Sequence, residues 1–250
     1  MTVPTTTSLA HVMESSGKDN YLRLAKALGG VKRFGRETPI PILEVMARLG
    51  VWEAMDVLRR AEWPEINPAR ALAADLAGLS LKVYERFRPW CRAPLQAVEA
   101  AAAFAAGIAG KGTLAAVHKL AEAAAERCII AEALRPPEHY AALAAVAASD
   151  PFGRPGEMVW SAWQNASMAL DYGTTDVFLV AGQLLDKNSR IFGRLAHRFG
   201  DTDGALAFYH DAIREACFTE LNRTELSRQA HDRATASILR MHLTGEVRHD

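Results

Sequence analysis

Apolar residues return every three or four positions along most of this chain, which is the period of a helix with one buried face. Alternating β-branched runs bounded by hairpin turns are nearly missing. The pattern predicts an all-α protein: a multi-helix bundle or short α-solenoid built from helical hairpins. The polar start, MTVPTTTSLAHVMESSGKDN, reads as a frayed lead-in, followed by a short amphipathic helix over residues 21–28 that ends at Gly29 and Gly30. Thr38 and Pro39 cap a helix carrying Ile40, Leu43, Val45, Met46 and Leu49; it stops at Gly50, and residues 51–63 restart at once to make a tight helical pair. Asn67 with Pro68 opens the next helix, whose Leu72, Leu76, Leu79, Leu81, Val83 and Tyr84 lead to Phe87. Pro94 opens another, closed by Gly107 and Gly110. Thr113 caps a long helix with Leu114, Val117, Leu120, Ala124, Cys128 and Ala131 along one side, stopped by Pro136 and Pro137, and residues 138–148 form a last alanine helix of this block.

The stretch SDPFGRPG, residues 149–156, concentrates two prolines and two glycines and predicts a sharp turn or linker. Three regions follow from it: a basic lead-in over 1–37, an alanine-rich helical domain over 38–149, and C-terminal helical hairpins over 157–245 packing on the first. Residues 157–172 form an aromatic helix with Trp160 and Trp163, and Thr174 or Thr175 caps the next. Val177 to Val180 are contiguous apolar residues that a buried strand would also suit, but the continuing Leu184 and Leu185 favour helix. Within 189–217, Gly193, Ala205, Tyr209 and Ala212 stand at the small and aromatic positions of a tetratricopeptide-like helix pair; no second copy stands 34 residues earlier, so a generic helical hairpin is the plainer reading.

Composition sharpens this. Alanine supplies 46 of 250 residues, 23 of them between Ala93 and Ala148. It favours helix and lets helices approach closely, but each alanine buries little area, so the block leans on anchors such as Leu95, Phe104, Leu114 and Leu120. Lysine plus arginine equals aspartate plus glutamate at 29 each, so no net field recruits nucleic acid or an anionic membrane, and a charge-driven partner needs a local patch. Cys91, Cys128 and Cys217 are odd in number and form no C-x-x-C pair, so neither a disulfide framework nor a zinc knuckle is written here. No basic, apolar leader and no span of membrane length are seen, which points to a cytoplasmic protein with no membrane partner.

The motifs of catalysis are missing. None of the eight histidines sits in H-E-x-x-H; His118 and Glu122, four apart, are at most half a metal site. There is no G-x-S-x-G, and GKG at 110–112 lacks the spacing of a phosphate-binding loop. No catalytic residue, metal or cofactor is therefore expected. Two patches suggest contact. Residues 18–36 carry six basic side chains against Asp19, with Lys32, Arg33 and Arg36 at their end; Arg88, Trp90 and Arg92 flank prolines in RFRPWCRAP, where Trp90 is the tryptophan expected to face solvent.

Residues 43–148 resemble, in layout, the all-helical immunity proteins of bacterial polymorphic toxin systems: a short helix ending in LG, then VWEAMDVLRRAEW, a helix ending in VYERF, the proline-led RAPLQAVEAAAAFAAG and a long alanine-rich helix. Pro94, Glu99, Ala100, Ala101 and Gly107 match that family's proline-led helix, and Phe104 stands where it carries Trp. The resemblance implies a non-catalytic protein that binds and neutralises a toxin without a cofactor. The expectation is thus a helical protein-interaction module, an immunity or defence-associated factor. The alternatives are a nucleic-acid-contacting accessory protein using 18–36, and an enzyme whose site is assembled from scattered polar residues.

Overall fold

A computed structural model describes residues 3–4, 6–129, 136–174 and 228–244. In chain order they form β1 (Thr6–Thr7), α1 (Leu9–Ala27), α2 (Val31–Phe34), β2 (Ile40–Pro41), α3 (Ile42–Leu49), α4 (Val51–Arg60), α5 (Ile66–Gly78), α6 (Leu81–Phe87), α7 (Ala93–Ala105), α8 (Lys111–Glu126), α9 (Pro137–Ser149) and α10 (Pro155–Thr174). A further helix, α11, covers residues 228–244. The all-α expectation holds, with one antiparallel pair of two-residue strands, Thr7 opposite Ile40, fastening the start of the chain beside α3. The stretches read as a next helix after Thr175 and as a tetratricopeptide-like pair over 189–217, and Cys217, lie outside the described residues.

The start of the chain departs from the frayed lead-in. Ser8 caps α1 by accepting a hydrogen bond from the His11 backbone N–H at 3.1 Å, and Leu9, Val12 and Leu24 are buried. Gly17, at φ 83°, breaks the helix in its middle, a backbone state that a Cβ would strain; this break dilutes the periodicity that would have revealed the helix. Ile40 and Pro41 are taken by β2, so α3 starts at Ile42 rather than at Thr38. Gly50 alone, at φ 103°, ends α3 and starts α4, which makes the predicted tight pair.

α5 is the middle of the molecule. It packs against α7, α9 and α10, and eight of its residues from Pro68 to Ala77 are buried, leaving only the strip of Ala71, Asp75 and Gly78 nearer solvent. α8 lies on α7 and α9, while α4 packs on α10 and carries α3 with it. One core cluster runs from Val3 and Leu9 through α3, α4 and α5 to Met158 and Trp163 of α10 and Ile238 and Leu239 of α11.

Two side chains fix the turn between α9 and α10. Arg70, 1% exposed, reaches from α5 to donate to the carbonyls of Ala148 at 2.9 Å and Asp150 at 2.8 Å, and its guanidinium lies 5.2 Å from the Phe104 ring centre. It thereby satisfies carbonyls that the end of α9 leaves without helical partners. Burial lowers the Arg70 pKa, and the charge of Asp150 opposes that shift. Gly156, in the first turn of α10, lies so close to α4 that a Cβ there would stand 2.0 Å from the Arg59 carbonyl oxygen. The predicted turn at 149–156 is thus packed at both ends, while Phe152 at its tip is 93% exposed.

In α8 the buried residues are Leu114, Ala121, Ala124 and Ala125, with buried Cys128 just beyond its end, and the expected anchor Leu120 is 54% exposed. Leu120 and Ala121 are neighbours on the helix about 100° apart, and it is the smaller one that packs in a cluster with Ala97 of α7 and Ala145 of α9. Among the described residues no helix is long and apolar enough to cross a membrane.

Candidate contact site at the α6–α7 loop

Pro89 cannot continue α6, so the chain turns. Arg88 caps α6 with its N–H on the Tyr84 carbonyl at 2.8 Å, and its own carbonyl accepts from the Cys91 N–H at 3.0 Å. That bond closes a four-residue turn with Pro89 and Trp90 at its two corner positions, where proline's fixed φ suits the first corner. Arg92 then caps α7, its carbonyl accepting from the Gln96 N–H at 2.9 Å. The turn is held at both ends by helices and presents Trp90 at 75% exposure beside the exposed Arg92.

Beneath the turn is a cleft of about 300 Å³ lined by Leu81, Tyr84, Glu85, Pro89, Cys91, Arg92 and Leu95. Burial, then the neighbouring Cys91 thiol, raises the Tyr84 pKa above the ordinary tyrosine value. Behind it Arg88 turns inward: Nη2 is 3.8 Å from Oε1 of the buried Glu138, and its side chain lies near the Cys128 thiol. Cys128 donates to the Ala124 carbonyl at 3.2 Å; burial, then the Glu138 charge, pushes its pKa up to about 11. A thiol that resists ionisation is a poor nucleophile. His139 Nδ1 sits 2.9 Å from the Ala125 carbonyl, so it and Cys128 occupy the carbonyls at the end of α8. These groups tie α6, α8 and α9 together.

Of the six expected contact residues, Trp90 and Arg92 face solvent on this loop, and Arg88 is mostly committed to Glu138 and Cys128. Lys32 lies on α2 and Arg36 just after it, both exposed; Arg33 belongs to α2, and its side chain is outside the description. None of the principal helix contacts joins α2 to α6 or α7, so the two patches stay separate. Sequence reasoning missed the cleft behind Trp90, and the signal for it was the P-W-C turn next to two helix ends. Within residues 82–92 the exposed Lys82, Arg86 and Arg92 outnumber the exposed Glu85, so the neutral chain carries a local excess of basic side chains here.

The half-site at His118 resolves differently. Its Nε2 is 3.3 Å from Glu122 Oε1 and its Nδ1 is 3.3 Å from Ser149 Oγ, a Ser–His–Glu array in outline. Ser149 is fully buried, however, and its hydroxyl donates to the Ala145 carbonyl at 2.8 Å, so it serves as an internal bond at the end of α9 with no substrate access. Among the described residues no group of three or more His, Cys, Asp or Glu could hold a metal ion. No family model matches this chain, and neither a curated protein nor a solved structure resembles it closely enough to be matched.

Proposed function

We propose that this protein is a helical protein-interaction module whose α6–α7 loop docks an acidic segment of a protein partner. The observation that carries the reading is Trp90, a large aromatic side chain kept in solvent at the corner of a proline turn that both flanking helices hold. Holding such a ring out of the core forgoes its burial energy, and tryptophan with arginine is the pairing that dominates binding at protein interfaces. The excess of basic side chains over residues 82–92 selects an acidic partner, and the cleft lined by Leu81, Pro89 and Leu95 accepts one apolar side chain beside it. The resemblance to immunity proteins suggests a toxin as that partner.

The test is a photoreactive phenylalanine analogue in place of Trp90, activated in the native cell. The expected outcome is one crosslinked protein, joined through an acidic stretch. With that partner purified, Trp90→Ala should weaken binding by about 2 kcal/mol, roughly 30-fold, as for an interface hot spot. Arg92→Glu should weaken it further at low salt than at high salt. No crosslink, or unchanged affinity in both variants, would reject the proposal.

A further inference from the structure

α11 places His231, Thr235, Ile238 and Leu239 in its buried stripe, at the spacing of one helix face. The C-terminal half of that stripe is apolar, but the N-terminal half is polar. His231 is 4% exposed and neither ring nitrogen has a hydrogen-bond partner; Thr235 Oγ1, one turn on, has none either. The imidazole stacks on Trp163 of α10 with centroids 6.4 Å apart and planes 19° apart, and the Trp163 indole N–H is also unpartnered. A neutral imidazole survives such a place. A protonated one has a second N–H donor and a full charge to satisfy in the same apolar surroundings.

We propose that α11 is an acid-released strap: when His231 takes up a proton, the N-terminal half of the helix leaves α10 and uncovers Trp163. The charged groups around it do not compensate that proton. From α10, Asp171 pairs with Arg228 at 3.8 Å and Glu157 with Arg59 of α4 at 2.9 Å; from α5, Asp75 pairs with His242 at 2.8 Å. On α11 itself, Asp232, Arg233 and Arg240 are exposed to solvent. The Trp163 ring does attract a cation, but 6.4 Å lies beyond the range of about 6 Å over which that attraction is useful. The His242–Asp75 contact and buried Leu239 keep the C-terminal half attached.

Burial lowers the His231 pKa from its ordinary 6.5 to about 4. The docked helix therefore binds fewer protons than the released one; docking is strongest above pH 6.5 and weakens as the pH falls toward 4. By pH 5 these two values favour release about 30-fold relative to pH 7.5.

Hydrogen exchange on the full chain, corrected for the intrinsic pH dependence of amide exchange, tests this. Protection of residues 228–237 relative to α5 should fall about 30-fold between pH 7.5 and pH 5. His231→Leu should abolish that fall, and His242→Gln should retain it. Constant protection in the wild type, or an equal fall in His231→Leu, would overturn the proposal. Should His231→Leu lack its helical circular dichroism, titration of the wild-type His231 ring resonance decides instead: a midpoint near 4 with concurrent loss of protection supports the strap, and an ordinary midpoint refutes it.

Discussion

The two sides of α5 are held together by different means. On the side of α10, with α4 packed on it, the core holds large side chains, Met55, Leu58, Leu72, Met158 and Trp163 among them. Toward α7 and α9 the contacts are made by Ala101, Ala144 and Ala148, and the contacts of α7 with α8 and α9 continue through Ala97, Ala121 and Ala145. At about 25 cal/mol per Å² of buried apolar surface, the first side gains its stability from side-chain area. The second gains less from each residue and depends on helix propensity and on close backbone approach. The first should therefore suffer most when side chains shrink, and the second when they grow.

The largest effect expected is the exception to that division. Gly156 lies on the large-residue side, yet a Cβ there meets the Arg59 carbonyl at 2.0 Å, and backbone cannot rotate away. Gly156→Ala should cost more than about 3 kcal/mol, at or above the upper end for overpacking, read as a lowered urea midpoint; a loss below about 1 kcal/mol would mean that α4 and α10 can slide apart freely. Next comes Leu58→Ala on the same side, where truncation of a fully buried leucine should cost about 2–5 kcal/mol. The smallest of the three is Ala145→Leu on the alanine side, expected to cost about 1–3 kcal/mol through strain, whereas the same enlargement at a solvent-facing alanine should be nearly neutral. If Ala145→Leu were stabilising, the α7–α8–α9 contacts would contain room that close packing denies, and the contrast between the two sides would fail.

Most of the helices were legible because their signals are local. Gly50, Pro94 and the Pro136–Pro137 pair mark helix ends by restricting or freeing the backbone, whatever the rest of the chain does. Trp90 was legible as a solvent-facing residue for a related reason: prolines near a helix end leave a short turn with nowhere to bury a ring. The cleft behind it was not legible, since Tyr84, Cys91 and Leu95 converge only when α6 and α7 fold against each other. Arg88 illustrates the limit. Its neighbours suggest an outward contact, but its partners, Glu138 and Cys128, lie about 40 to 50 residues further along the chain.

By itself, then, the sequence determined the all-helical class, the proline and glycine boundaries of the helices and the wealth of alanine that lets them approach, because propensity and backbone restriction act within a few residues. Tertiary structure alone decided that Ala121 rather than Leu120 faces the core, that Arg70 spans from α5 to the end of α9, and that the polar His231 occupies an apolar seat. Each of these is set by the distance between helices far apart in sequence, and close packing makes that distance a property of the whole assembly.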